Sequence, residues 1–93
     1  MTQDETIPKL YFSMDEVKKM LDVNASCIRY WLKEFKIDEA VHRPRFGHKS
    51  YRRFVARDIN RLREIKRLLK DEGYTLHGAK KKFLEFKPSD QLQ

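Results

Sequence analysis

Cysteine and long apolar runs are what this sequence has least of. Its single cysteine, Cys27, excludes an internal disulfide and any zinc site built from several cysteines. No apolar run approaches the roughly 18 residues that a membrane-spanning helix needs, and the first residues show no signal-peptide pattern. A soluble chain in a reducing, cytoplasmic compartment is therefore expected.

Combinations of residues that carry out catalysis are also lacking. No serine, cysteine or carboxylate pair has a suitable partner for nucleophilic or acid–base chemistry. The three histidines, His42, His48 and His77, are scattered without the spacing of metal ligands. We therefore do not expect an enzyme, and we predict neither a cofactor nor a bound metal.

Acidic residues are scarce in the middle of the chain, where the positive charge is concentrated. The net charge is +7 with a pI near 9.7, and residues 29–70 hold 14 Lys/Arg against 5 Asp/Glu. A length of 93 residues, 40% of them hydrophobic, suits one domain with a modest core. The charge points to a polyanion such as DNA, RNA or an anionic membrane surface.

The segment from Val23 to Phe35 has the spacing of a two-faced helix. An apolar stripe at helical spacing predicts packing on a core: Ile28, Trp31, Leu32 and Phe35. The opposite side is cationic and can form hydrogen bonds: Ser26, Arg29, Tyr30 and Lys33. Asn24 is a favourable N-cap. Such a helix fits the major groove of B-DNA, although a basic helix face can also be simply solvated.

A shorter helix precedes this one. Ser13 and Glu16 form a capping box that begins a helix over about 14–21, and Asp22 to Asn24 make a tight connection. Two helices so close together predict a helix-turn-helix whose second helix carries the cationic face. An αα-hairpin without any ligand has the same arrangement.

Residues 36–54 show no helical period. We predict strands over 41–46 and 51–54 with a turn over 47–50, and Pro44 confines the first strand to a sheet edge. From His42 to Arg53 this hairpin, or wing, has five Lys/Arg and no acid. Cations without a countercharge favour an external anion, although a charged edge can also serve only to prevent aggregation.

Two more helices are predicted, over 56–72 and about 76–86. The longer one ends at Gly73 and begins without a side-chain cap, because Val55 stands at that position; the shorter one is capped by Thr75. Their inward-facing residues are Ile59, Leu62, Ile65 and Leu69 in the first, and Leu76, Ala79, Phe83 and Phe86 in the second. Most of their cations are expected to be solvated or paired at helical spacing.

Three motifs in these elements match the pattern of a known protein family in residue type and spacing. They are Arg29-Tyr30-Trp31 with Glu34-Phe35, Tyr51-Arg52-Arg53-Phe54 followed by Asp58-Ile59, and Gly73-Tyr74-Thr75-Leu76. In order and spacing they resemble the MerR family of bacterial transcription regulators, over about Phe12 to Leu84. The resemblance implies a mainly α fold with four helices and a small β-hairpin wing, a winged helix-turn-helix.

The same resemblance implies roles for individual residues. The second helix would enter the major groove, Arg29 and Tyr30 would touch phosphates or base edges, and Arg52 would hold the wing to the DNA backbone. Three departures stand beside it. Ser50 replaces a frequent Gly, Phe54 replaces the usual Tyr, and the long dimerising helix with its effector-sensing region is not in this sequence. Metal sensing through Cys27 is therefore not expected.

Sequence-specific binding of double-stranded DNA, as the DNA-reading module of a transcription regulator, is our first hypothesis. The candidate DNA-binding residues are Asn24, Ser26, Arg29, Tyr30, Lys33, Arg43, Arg45, Lys49, Tyr51, Arg52 and Arg53. The alternative is an excisionase-like architectural DNA-binding factor that contacts a recombinase in place of RNA polymerase. A protein- or RNA-binding module is the third hypothesis.

The remaining expectations concern the division of the chain, its oligomeric state and its location. Residues 1–10 form a flexible N-terminal lead, 11–86 the winged helix-turn-helix domain and 87–93 a polar tail. A homodimer is an open possibility. Because no heptad segment is present to pair two copies, we expect either that pairing occurs through the last helices or that Gln93 is a truncation point. No membrane partner is expected, and a DNA-binding chain would be associated with the nucleoid.

Overall fold

The computed structural model describes residues 10–46 and 49–92, with the backbone alone described at 45–46 and 49–50. These residues form α1 (Met14–Leu21), α2 (Ala25–Glu34), β1 (Arg45–Phe46), β2 (Lys49–Ser50), α3 (Ala56–Lys66) and α4 (Leu76–Phe83). The prediction of a mainly helical chain with four helices is confirmed. Of the expected N-terminal lead, residues 1–9 lie outside the described part of the chain.

Side-chain caps begin three of the four helices, at the residues that the sequence predicted. Ser13 Oγ accepts from the Glu16 N–H at 3.2 Å, and Glu16 Oε1 accepts from the Ser13 N–H at 2.8 Å. Asn24 Oδ1 accepts from the Cys27 N–H at 2.8 Å, and Thr75 Oγ1 from the Gly78 N–H at 3.1 Å. Each bond satisfies an N–H that the first helical turn leaves without a partner.

The start of α3 lacks such a cap, as predicted, because the Val55 side chain has no acceptor. Asp58 makes the reverse contact, and its Oδ2 accepts from the Val55 N–H at 3.0 Å. Asp58 is the buried charged residue of the described core, 3% exposed. Burial raises the pKa of its carboxyl group, while the Val55 N–H and the nearby Arg61 oppose the rise.

The core lies between the helices, and α2 contributes the stripe that its spacing predicted. Ile28, Trp31 and Leu32 are buried, and Phe35 follows them at the end of the helix. The inward residues predicted for α3 are also buried over its regular part: Ile59, Leu62 and Ile65. Ala79 brings α4 onto the same cluster. Packing on this cluster fixes which face of α2 remains exposed.

The end of the long third helix differs from the prediction. From Arg67 to Asp71 the chain winds as a π-helix, and the Glu72 N–H bonds to the Arg67 carbonyl at 2.8 Å, five residues back. Leu69, which was predicted to face inward, is partly buried against the core cluster, and Leu68, which was not predicted there, is fully buried.

The predicted strands over 41–46 and 51–54 are wrong in extent. The paired strands have two residues each, with Arg45 opposite Ser50 and Phe46 opposite Lys49, so Lys49 and Ser50 belong to a strand and not to the turn. Gly47 and His48 of that turn lie outside the described residues. Beyond the strands the two sides are joined by a bridge between His42 and Arg53 and by a hydrogen bond from the Tyr51 N–H to the Pro44 carbonyl at 3.2 Å. We call residues 41–54 the hairpin segment.

Phe54 joins the hairpin segment to the core. It is fully buried and exchanges backbone hydrogen bonds with Phe12, at 2.7 Å and 2.8 Å. This bridge replaces the regular second strand, because residue 54 pairs with the segment before α1 and not with the other side of the hairpin. A phenolic hydroxyl at this position would lie inside the protein, so the absence of tyrosine here removes no exposed donor.

The tail after α4 packs back onto α3. Asn60 Nδ2 donates to the carbonyls of Ser89 at 3.1 Å and Gln91 at 2.9 Å, and Arg57 pairs with Asp90 at 2.6 Å. Leu92 lies against the core cluster. The tail is therefore more than a polar extension, although Gln93 lies outside the described residues.

Candidate nucleic-acid interface

The exposed face of α2 carries the four residues that the helical spacing assigned to it. Ser26, Arg29, Tyr30 and Lys33 are all exposed, and the Tyr30 side chain is half accessible. Arg29 Nη2 lies 3.5 Å from Ser26 Oγ, a long contact within the same face. Within residues 10–46 and 49–92, no carboxylate forms an ion pair with Arg29 or Lys33. Both charges therefore face solvent.

The acidic residue of α2 points away from this face. Glu34 Oε1 accepts from Lys80 Nζ of α4 at 3.0 Å, and the two side chains are partly buried. The pair draws the carboxylate of α2 toward the neighbouring helix and leaves the exposed face positive. At the other end of α2, the side-chain Oδ1 of Asn24 is used as the cap, and its Nδ2 remains as a donor.

A carboxylate just before the hairpin segment was not considered as a partner of its cations in the sequence analysis. Asp38 lies in a short 3-10 helix, Asp38–Ala40, just before the stretch without acids. Arg52 Nε lies 3.0 Å from Asp38 Oδ1, Arg52 Nη2 lies 3.3 Å from Oδ2, and Arg43 Nη2 also donates to Oδ2. These arginines hold the pKa of Asp38 below its usual value, with the Arg52 hydrogen bond as the largest cause.

The expectation of cations without any countercharge is therefore wrong for Arg43 and Arg52. The signal that could have revealed this was the position of Asp38 only five residues before Arg43. What the sequence could not show is the fold-back that brings Arg52, fourteen residues away, to the same carboxylate.

Among the other candidates of the hairpin segment, the structure describes the side chains of Tyr51 and Arg53 but not those of Arg45 and Lys49. The Arg53 guanidinium lies 5.6 Å from the centre of the Tyr51 ring, a cation–π contact, and its Nη1 donates to the Arg52 carbonyl at 3.3 Å. Tyr51 is exposed. The side chains of Arg45 and Lys49 lie outside what the structure describes, as does His48.

A surface groove of about 470 Å³ brings α2 and the hairpin segment together. It is lined by Arg29, Leu32, Lys33, Lys36, Asp38, Glu39 and Arg52. Two cations of the α2 face and Arg52 of the hairpin segment thus share one side of the molecule. Lys36, in a left-handed conformation with φ +56°, extends this cationic set and was not among the sequence candidates.

Among residues 10–46 and 49–92, no group of three or more His, Cys, Asp or Glu residues has an arrangement that could hold a metal ion. Cys27 is partly buried and packs against the core. In the same ranges, every helix is too short or too polar to cross a membrane.

Comparison with known proteins agrees with this architecture. The family described as MerR HTH family regulatory protein matches residues 12–85, which covers all four helices and the hairpin segment. Neither the curated proteins nor the solved structures yield a match to the chain. Since the family match extends over most of the sequence, the chain belongs to the MerR family of helix-turn-helix regulatory proteins, a family of DNA-binding transcription regulators.

Proposed function

We propose that this chain binds double-stranded DNA in a sequence-specific manner, as the DNA-reading module of a transcription regulator. The observation that carries the proposal is the shared groove, in which Arg29 and Lys33 of α2 stand beside Arg52 of the hairpin segment. A duplex presents phosphates on both sides of its major groove, so a helix within the groove and a flanking cation can bind together.

Roles for the individual residues follow from their positions. α2 would lie in the major groove, with Ser26, Arg29, Tyr30 and Lys33 contacting base edges and the nearest phosphates. Asn24, at the start of α2, would donate to a phosphate through its free amide. The hairpin segment would act as a wing along the flanking backbone, through Arg43, Arg45, Lys49, Tyr51, Arg52 and Arg53.

Phosphate contacts and base contacts contribute differently to affinity and to sequence preference. Phosphate contacts release counterions, and each one is expected to add about 0.9 to the slope of log K against log salt. A bidentate arginine–guanine contact adds about 1–3 kcal/mol of discrimination between bases. Most of the affinity would therefore come from phosphates, and most of the sequence preference from α2.

The first experiment identifies the class of nucleic acid. Labelled duplex DNA of random sequence is bound by the chain and competed with unlabelled duplex, single strands and a structured RNA. We expect the duplex to compete best, because both cationic segments can meet phosphates only on a duplex surface. Equal or better competition by RNA would replace the proposal with an RNA-binding function.

The second experiment tests α2 and sequence preference. Selection from a random duplex library should enrich one motif with the wild type, and Lys33→Ala should bind that motif less tightly with a salt slope shallower by about one unit. Lys81→Ala is the matched control, since Lys81 is an exposed helical lysine on α4. Equal losses in the two variants would contradict the assignment of α2 as the reading helix.

A further inference from the structure

Asp38 stands at the junction of the two cationic segments, and its geometry is unlike that of a surface ion pair. Both of its oxygens are engaged by Arg52, and Oδ2 also accepts from Arg43. The Asp38 and Arg52 side chains are only 27% and 24% exposed, whereas Arg43 is 43% exposed. Asp38 also lines the groove that holds Arg29, Lys33 and Arg52.

We propose that Asp38 is a positioning residue for DNA binding, which holds the Arg52 guanidinium in place so that its remaining N–H groups meet a phosphate. The inference rests on the proposed function and names a residue that contacts the protein's own arginine and not the ligand. A carboxylate that orients an arginine in this way reduces the side-chain freedom lost when the phosphate binds.

The donors of Arg52 leave room for a second anion. A guanidinium carries five N–H groups, and Asp38 occupies one on Nε and one on Nη2. The two N–H groups on Nη1 have no partner among the described residues, and a second one remains on Nη2. Because two arginines share one carboxylate, the cluster also retains a net positive charge. Arg52 can therefore bind a phosphate without releasing Asp38.

Electrostatics alone predicts that removal of the Asp38 carboxylate strengthens DNA binding, whereas a positioning role predicts that it weakens binding. A carboxylate near DNA repels phosphates, so its removal should tighten binding. At about 0.15 M salt, however, one charge at several ångströms changes the affinity by less than about twofold. Ordering one long side chain in advance is worth about three- to tenfold. If Asp38 positions Arg52, the second effect outweighs the first.

The experiment compares Asp38→Asn with Glu39→Gln on duplex DNA of random sequence at that salt concentration. Glu39 lines the same groove, in the same turn, and no ion pair to it occurs within the described ranges. Both variants remove one negative charge. We expect Asp38→Asn to bind about three- to tenfold more weakly than the wild type, and Glu39→Gln to bind equally or slightly more tightly. Tighter binding by both variants would overturn the inference.

A second pair of variants separates positioning from a structural role. In an Arg52→Ala background, Asp38→Asn should weaken binding much less than it does in the wild type, because Arg52 is gone and Asp38 then holds only the more exposed Arg43. Thermal unfolding and circular dichroism of every variant show whether the fold persists. A loss of binding by Asp38→Asn that is undiminished in the Arg52→Ala background would overturn the inference. If the wild type itself fails to bind duplex DNA, the proposed function fails first, so the two failures are distinguishable.

Discussion

The two basic helices α2 and α3 use their positive charge in different ways. On α3 and its π-helical extension, most cations are bound by the protein itself: Arg57 by Asp90, Arg61 by Asp58, Arg67 by Glu64 and Glu72, and Lys66 by the Leu21 carbonyl. On α2, neither Arg29 nor Lys33 has a carboxylate partner in the part of the chain that the structure describes. A count of basic residues would rank α3 first as a ligand-binding helix, and the pairing reverses that order.

The difference has a structural cause. The acids that pair with the α3 cations lie mostly on the same stretch of chain: Asp58 and Glu64 at helical spacing, and Glu72 just after the π-helix, while Asp90 comes from the tail. α2 buries one face in the core and turns the other to solvent, and its own acid, Glu34, is held by Lys80 of α4. On α2 and α3, the charge available to a ligand is thus the charge that remains after internal pairing, whereas Arg52 of the hairpin segment keeps N–H groups beyond those that Asp38 occupies.

The largest expected effect separates the two helices directly. The double variant Arg29→Ala/Lys33→Ala should lose at least about tenfold in affinity for duplex DNA, with a salt slope shallower by about two units. Arg57→Ala/Arg67→Ala removes the same charge from α3 and should change the affinity by less than about twofold, since those guanidiniums are already paired. Fluorescence anisotropy over a range of salt concentrations measures both. Similar losses in the two variants would break the distinction between α2 and α3.

A smaller effect is expected where α3 binds its own tail. Asn60→Ala removes two hydrogen bonds to tail carbonyls and should lower the free energy of unfolding by about 1 kcal/mol, while DNA affinity stays unchanged. Gln91→Ala is the control, because the acceptor there is the backbone carbonyl, which the substitution keeps. Urea unfolding measures the difference. Equal stability of Asn60→Ala and the wild type would mean that these two hydrogen bonds contribute nothing to the stability of the fold.

The smallest effects concern two aspartates whose pKa values shift in opposite directions. The pKa of Asp38 lies below its ordinary 3.8. Its stabilising contribution is therefore present above that pH and is lost as the pH falls through the lowered value. The pKa of Asp58 lies above 3.8, so its contribution is present below that pH and is lost as the pH rises through the raised value.

Thermal unfolding across acidic to neutral pH should reveal these opposite signs. We expect Asp38→Asn to be less stable than the wild type at neutral pH and to approach it in acid. Asp58→Asn should gain stability relative to the wild type as the pH rises, because the neutral amide keeps an acceptor for the Val55 N–H without burying a charge. Parallel curves for all three proteins would contradict both pKa directions.

Local chemistry made much of the fold predictable. Ser13, Asn24 and Thr75 were recognised as caps because the sequence places an acceptor beside the N–H groups it must satisfy. The stripe from Ile28 to Phe35 was recognised because helical spacing alone puts those side chains on one face. The four exposed residues of α2 followed from the same periodicity, and the family motifs agreed with the match over residues 12–85.

The errors share a different origin. The strands of the hairpin segment are shorter than predicted because Phe54 pairs with Phe12, a residue from before α1. Leu68 joins Leu69 on the core within a π-helical stretch that the helical spacing did not predict. Asp38 was overlooked because its second arginine reaches it only after the chain folds back. Each of these depends on contacts between residues far apart in sequence.

By itself the sequence determined where three helices begin, which side of α2 is apolar and that the middle of the chain is strongly positive. These properties depend on the chemistry of residues within one or two helical turns. Only the tertiary structure decided which of those positive charges are available to a ligand. An ion pair depends on distance in space, and the chain brings Asp38, Glu34 and Asp90 to particular cations only when its helices pack.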